Sequence, residues 1–190
     1  MAKKILILSE PFAPPSFLPR ITNLCKNLDR NKWTPEIFTE KIKDVNYTTD
    51  LCPIFQMPYY NSNNKIYWAI KWVLHFLFQY KDFKLQKFIE NTTNVNDYDL
   101  IFCSISNLFP ITTAARLSKK YNKPLIIDLR DIDEQWGKHK YLTHSISKSS
   151  TINNFIYKQI ERLNIKRRNK ALLQANSVTT ISPWHQNFIK

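Results

Sequence analysis

The chain has 190 residues, 43% hydrophobic and 14% aromatic, which suits one domain with a sizeable core and excludes a disordered chain. Its single glycine, Gly137, excludes glycine-rich phosphate loops of the GxGxxG or Walker A kind. A formal net charge of +13 favours anionic partners: nucleic acid, an anionic membrane surface or a phosphorylated substrate.

The first element is "KKILILSE", a short apolar strand from Ile5 to Leu8. A proline-rich turn, "PFAPPSFLPR", leads on to Ile21, Leu24, Cys25 and Leu28, whose i, i+3, i+4, i+7 spacing predicts an amphipathic helix. "TPEIFTE" reads as a second strand and "CPIFQMP" as a weaker third. One helical stretch is expected from about Lys65 towards Ile89. "YDLIFCSIS" is a strong strand, and Pro110 suits the first turn of a helix reaching Tyr121. "PLIIDLRD" is the next strand, with a loop expected over Ser145 to Asn154 and a long basic helix over Phe155 to Gln174. "SVTTIS" closes the series of strands, and Ser182 with Pro183 reads as the start of another helix. Strands alternating with helices predict an α/β fold: a Rossmann-like, mostly parallel sheet with helices on both faces, in a single domain over residues 1–190. The chain stops soon after Pro183, so a domain of something longer is expected.

Cys25, Cys52 and Cys103 are odd in number and lack metal-ligand spacing, which suggests a reducing compartment. Cys103 lies in an apolar strand and reads as a small core residue. His75, His139, His144 and His185 show no metal spacing either. The apolar stretch in "AKKILILSEPF" is too short for a signal peptide, and no apolar run approaches the roughly 20 residues of a spanning helix. A cytoplasmic protein is expected, with the inner face of the membrane as a further location.

Charge concentrates at one place. "PLIIDLRDIDEQW" is a buried-strand pattern that ends in Asp128, Arg130, Asp131, Asp133 and Glu134, with Trp136 beyond. Parallel strands deliver their carboxyl ends to one rim, where open α/β sheets bind ligands. Arg130 there could present a guanidinium fork to a phosphate or a sugar carboxylate, and Asp131 could orient an acceptor hydroxyl. The same residues would equally suit a strand-end ion pair between Arg130 and Asp128 or Asp131. Ser9, Glu10, Ser16 and Phe17 would line the rim beside the first strand, with Ser104 and Ser106 ending the "DLIFCSIS" strand. Trp136 would serve as an acceptor platform or as a lid-anchoring core contact.

In order and spacing these segments resemble the N-terminal domain of GT-B glycosyltransferases, specifically the retaining family 4 type. The resemblance rests on "SEPFAPPSFLPRITNLCKNL" with its early Arg20, on "DLRDIDEQW", and on "IERLNIKRRNKALLQANSVTTIS". It implies an acceptor-binding domain with Arg20, Ser106, Arg130, Asp131 and Trp136 at the acceptor site, from an enzyme of surface polysaccharide or glycolipid synthesis. It also implies a nucleotide-diphosphate sugar donor, held with a glutamate pair by a C-terminal domain that this chain lacks. The domain itself would then bind no cofactor or metal and would be inactive alone, and no catalytic residue is assigned to it. The acceptor partner would be a sugar or a lipid-linked sugar. A nucleotide-sugar epimerase of the same architecture is the alternative. A nucleic-acid-binding module has charge alone in its favour, so no nucleic acid is expected.

Two stretches bear on partners. "KIYWAIKWVLHFLFQYKDFKLQKFIE" is apolar around most of a helical wheel, leaving Lys71, His75 and Gln79 as a narrow polar stripe. It suits a helix packed against the sheet or an interfacial helix lying on anionic lipid. The basic helix spaces Lys158, Arg162 and Lys166 at i, i+4, joined by Arg167 and Arg168. Lys71 with Arg162, Lys166, Arg167 and Arg168 forms a candidate membrane or phosphate patch, and a solvated face is the plainer alternative.

Overall fold

A computed structural model of the chain describes residues 2–10, 19–41, 48–58, 65–105, 108–130 and 151–180. In chain order the elements are β1 (Lys3–Ser9), α1 (Pro19–Asn27), β2 (Trp33–Glu40), β3 (Ile54–Met57), α2 (Lys65–Phe78), α3 (Tyr80–Thr92), β4 (Leu100–Ile105), α4 (Ile111–Tyr121), β5 (Leu125–Leu129), α5 (Thr151–Leu172) and β6 (Ser177–Thr180). The six strands form one sheet in the order β3-β2-β1-β4-β5-β6, and every neighbouring pair is parallel. This is a Rossmann-like α/β arrangement, and its order reverses between β1 and β4.

Both faces of the sheet are apolar, as the unbroken runs in β1 and β5 require. Successive side chains of a strand point to opposite faces, so β1 feeds two cores. Ile5 and Ile7 pack with Ile21, Cys25, Ile37 and Cys52 under α1. Leu6 and Leu8 join Phe38, Leu85, Ile89, Leu117 and Leu172 under α3, α4 and α5. Leu6, Ile7 and Leu8 are fully buried, each worth about 1.5–3 kcal/mol as an upper estimate. Cys103 is the small core residue expected, buried among Leu6-side neighbours. Cys25 and Cys52 are also buried thiols, with their sulfurs 3.8 Å apart.

Three expectations about elements are corrected. The single helix over 65–89 is two, broken at Gln79, whose backbone is left-handed (φ 54°). No proline or glycine causes the break: Arg116 of α4 bonds the Gln79 side chain, and Arg167 of α5 donates to the Leu77 carbonyl at 2.6 Å. Arg167 thus satisfies one of the backbone carbonyls that a helix end leaves open, and Arg116 anchors the residue at the break. The basic helix starts at Thr151, inside the stretch read as loop, and ends at Leu172. Pro110 precedes α4 as its N-cap rather than lying within the first turn, and it offers no side-chain cap. The helix expected from Ser182 and Pro183 lies outside the described residues.

Candidate functional site

The carboxyl edge of the sheet carries a row of polar residues in register. Ser9 of β1 stands opposite Ser104 of β4, Ser104 opposite Asp128 of β5, and Asp128 opposite Thr179 of β6. Neighbours in register share a face, which here is the face covered by α1. Ser104 Oγ donates to Asp128 Oδ2 at 2.9 Å, and Thr179 Oγ1 donates to Oδ1 at 3.0 Å. Arg20, from the first turn of α1, closes on the same carboxylate with an Nη2–Oδ1 distance of 2.9 Å. The Asp128 side chain is 4% exposed and that of Arg20 is 41% exposed. A buried carboxylate of this kind persists because two hydroxyls and a guanidinium satisfy it. The Arg20 side chain is thus partly exposed, which leaves room for an anion to approach its guanidinium from solvent.

Just beyond the strand ends, Arg130 Nη2 meets Glu10 Oε2 at 2.8 Å, with both side chains less than a fifth exposed (16% and 18%). The Arg130 backbone N–H donates to the Ile105 carbonyl at 2.8 Å, which continues the β4–β5 ladder and fixes where its side chain starts. Thr39 of β2 donates to the Glu10 carbonyl at 2.8 Å. The ends of β1, β2, β4 and β5 therefore converge around the point where strand order reverses. Ser9 Oγ is fully buried there and has no hydrogen-bond partner among the described residues. A buried hydroxyl without a partner is costly, about 1–3 kcal/mol, unless something outside the protein's own described groups satisfies it.

Of the two ion pairs expected for Arg130, the one with Asp128 is corrected, since Arg130 pairs with Glu10 and Asp128 with Arg20, while the one with Asp131 lies outside the described residues. The reason is position. Ser104, Thr179 and Arg20 already take up the Asp128 carboxylate. Arg130 lies one residue past the end of β5 and meets Glu10, one residue past the end of β1. Of the expected site residues, Ser9, Glu10, Arg20 and Arg130 come together. Ser16, Phe17, Ser106, Asp131 and Trp136 lie outside the described residues.

The basic patch is partly corrected. Arg168 is buried (7% exposed) and turns its guanidinium to Asn169 Oδ1, while Arg167 is engaged at the end of α2. Arg162 and Lys166 are exposed or half-exposed along α5, and Lys71 lies 4.7 Å over the Tyr67 ring. The α5 face toward α2 thus serves packing, and its outer side keeps the free charge.

Two buried acids had no signal in the sequence. Glu40, the last residue of β2, pairs with Lys81 at 2.5 Å, and burial pushes its carboxyl above the usual range against the pull of that lysine. Asp82 is fully buried in the first turn of α3. Its Oδ1 accepts from the Thr112 hydroxyl and from the Thr113 backbone N–H, the latter at 3.2 Å. It is the N-terminal cap that Pro110 cannot supply to α4. Burial raises the Asp82 pKa, and the two threonines and Arg116 oppose that shift. An acid in a helix's first turn reads in sequence as an exposed complement to the helix dipole, so nothing marked it as buried.

Among the described residues no group of three or more His, Cys, Asp or Glu could hold a metal ion. No protein-family model matches the sequence, and no curated protein matches it either.

Proposed function

We propose that this chain is the acceptor-binding half of a nucleotide-sugar-dependent glycosyltransferase of GT-B type, serving surface polysaccharide or glycolipid synthesis. The observation that carries the proposal is the pair of guanidinium–carboxylate contacts, Arg20–Asp128 and Arg130–Glu10, at the carboxyl edge beside the β1–β4 reversal. Two guanidinium groups with partly wet surroundings form a receptacle for an acceptor phosphate or sugar carboxylate. The carboxylates hold them in place until the ligand arrives. Incoming phosphate oxygens would take over Arg130 donors while Glu10 swings to water or to an acceptor hydroxyl. Asp128, locked by Ser104 and Thr179, keeps Arg20 aimed at the same rim. The order of "SEPFAPPSFLPR", "DLRDIDEQW" and "ANSVTTIS" along the chain supports the same reading. In it the donor half and its glutamate pair belong to a second α/β domain.

Calorimetry and amide chemical shifts test the proposal. A sugar 1-phosphate should bind and move the amides of Glu10, Ser104 and Arg130, and Arg130→Ala should lower its affinity at least about tenfold, the loss of one charge-assisted contact. Uridine diphosphate glucose should bind weakly or not at all. Tight binding of the nucleotide sugar, or sugar phosphate binding indifferent to Arg130→Ala, would sink the assignment.

A further inference from the structure

Eight large hydrophobic side chains stand exposed among the described residues, and seven of them fall between Tyr67 and Phe83. Ile70, Leu77 and Phe78 mark the ridge on α2, and Tyr80 and Phe83 continue it on α3 past the break at Gln79. Phe78, beside the break, is 63% exposed. Scattered exposed apolar residues are ordinary; a contiguous set confined to one helix pair indicates a surface with a partner. On α3 the opposite side is core, since Leu85 and Ile89 are fully buried. Cations thread the ridge. Lys71 sits over Tyr67, Lys84 lies 5.4 Å over Tyr80, and Arg116 lies 3.8 Å over Phe83. Among the described residues the acids in this region are all occupied: Asp82 is buried beneath Thr112 and Thr113, Glu40 holds Lys81, and Glu90 holds Lys120 at 2.9 Å. The outer surface is therefore apolar and positive, with its negative charge turned inward.

We propose that the α2–α3 ridge docks in the plane of an anionic lipid bilayer. Aromatic and aliphatic tips would enter the boundary between headgroups and acyl chains, and the lysines would meet lipid phosphates. Two observations favour lipid over a second copy of the chain. Rings paired with ammonium or guanidinium groups suit a surface where apolar and anionic layers lie a few ångströms apart. A net charge of +13 also opposes like meeting like. No helix among the described residues is long and apolar enough to cross a membrane, so the ridge would lie on it rather than span it. The break between α2 and α3 sits at the sheet's carboxyl edge, because Lys81 pairs with the last residue of β2 and lies 4.1 Å over Phe109. Docking would thus bring the Arg20–Arg130 rim close to the headgroups. The docking proposal stands on the exposed ridge alone and does not depend on the proposed function.

Flotation of the protein with two kinds of vesicle tests it: phosphatidylcholine alone, and an equal mixture of phosphatidylcholine and phosphatidylglycerol. Binding to the mixed vesicles should be at least about tenfold tighter and should weaken with added salt, as a few surface lysines require. Ile70→Ser with Phe83→Ser should cut binding at least tenfold with circular dichroism and melting unchanged. Lys71→Glu with Lys84→Glu should erase the preference for phosphatidylglycerol. Failure of the protein to bind the mixed vesicles overturns the proposal, as does binding that the serine pair leaves untouched. Self-association in the ultracentrifuge that the serine pair abolishes would instead assign the ridge to a second copy.

Discussion

Asp128 and Arg130 stand two positions apart and face different consequences of substitution. The Asp128 carboxylate is buried and holds Ser104, Thr179 and Arg20 at once. Asp128→Ala would leave two hydroxyls and a guanidinium without their acceptor, and urea unfolding should show a loss of about 2–4 kcal/mol. The Arg130–Glu10 pair keeps slightly more exposure, 16% and 18%, so Arg130→Ala should cost about 1–2 kcal/mol, less than Asp128→Ala, while removing anion binding. A variant pair that behaved the other way round would make Arg130 the structural residue and Asp128 the dispensable one. The charge in "DLRD" is plain in the sequence, and so is its place at a strand end. Its partners are not, because Glu10 lies 120 residues away and chain separation carries no hint of contact. Thr179 was equally hidden: in "SVTTIS" nothing distinguishes the threonine beside β5 from its neighbour.

At the scale of elements, α3 and α4 are joined by a cap borrowed across 31 residues of chain. Asp82→Ala should uncap α4 and strand both threonine hydroxyls, lowering stability by about 2–3 kcal/mol in urea unfolding. Asp82→Asn keeps an acceptor oxygen and removes a charge that burial disfavours, so its cost should be clearly smaller. A second element-level effect is pH-dependent. Burial, with Lys81 and Arg167 nearby, pushes His75 from the ordinary 6.5 down to about 4. The unfolded chain takes up a proton near 6.5 that the folded chain refuses until about 4. This contribution to stability is therefore complete above the higher value and is lost as pH falls toward the lower. Between pH 7 and pH 5, His75→Gln should remove about 1–2 kcal/mol of the acid-side loss, after allowance for the ring's partial exposure. Equal pH dependence in the two proteins would show that the imidazole stays wet. The helices were legible as amphipathic runs, but the break at Gln79 was not. "HFLFQYKDFK" contains no residue that ends a helix, and arginines from two later helices impose the change of direction.

The whole molecule was legible at the level of class and not of wiring. Apolar runs separated by amphipathic ones announce a parallel sheet because its strands must be covered on both faces. Which strand lies beside which depends on packing that no short stretch encodes. The sheet order has a consequence for how the protein is made. With no hairpin in it, every strand pair closes over a long loop. Thr39 reaches back 29 residues to Glu10, Asn176 reaches back 51 to Leu125, and Asp99 reaches back 95 to Lys4. The central strand leaves the ribosome first and receives its second neighbour last-but-two. At about 5–20 residues per second, β1 waits roughly 5–20 s for β4, with an apolar edge unpaired meanwhile. Stalled nascent chains ending shortly after β3 should be protease-sensitive and should hold chaperones. Protection of β1 should arise abruptly in chains long enough to expose β4 and α4, and a gradual rise beginning at β2 would show that the first half folds without its central partner.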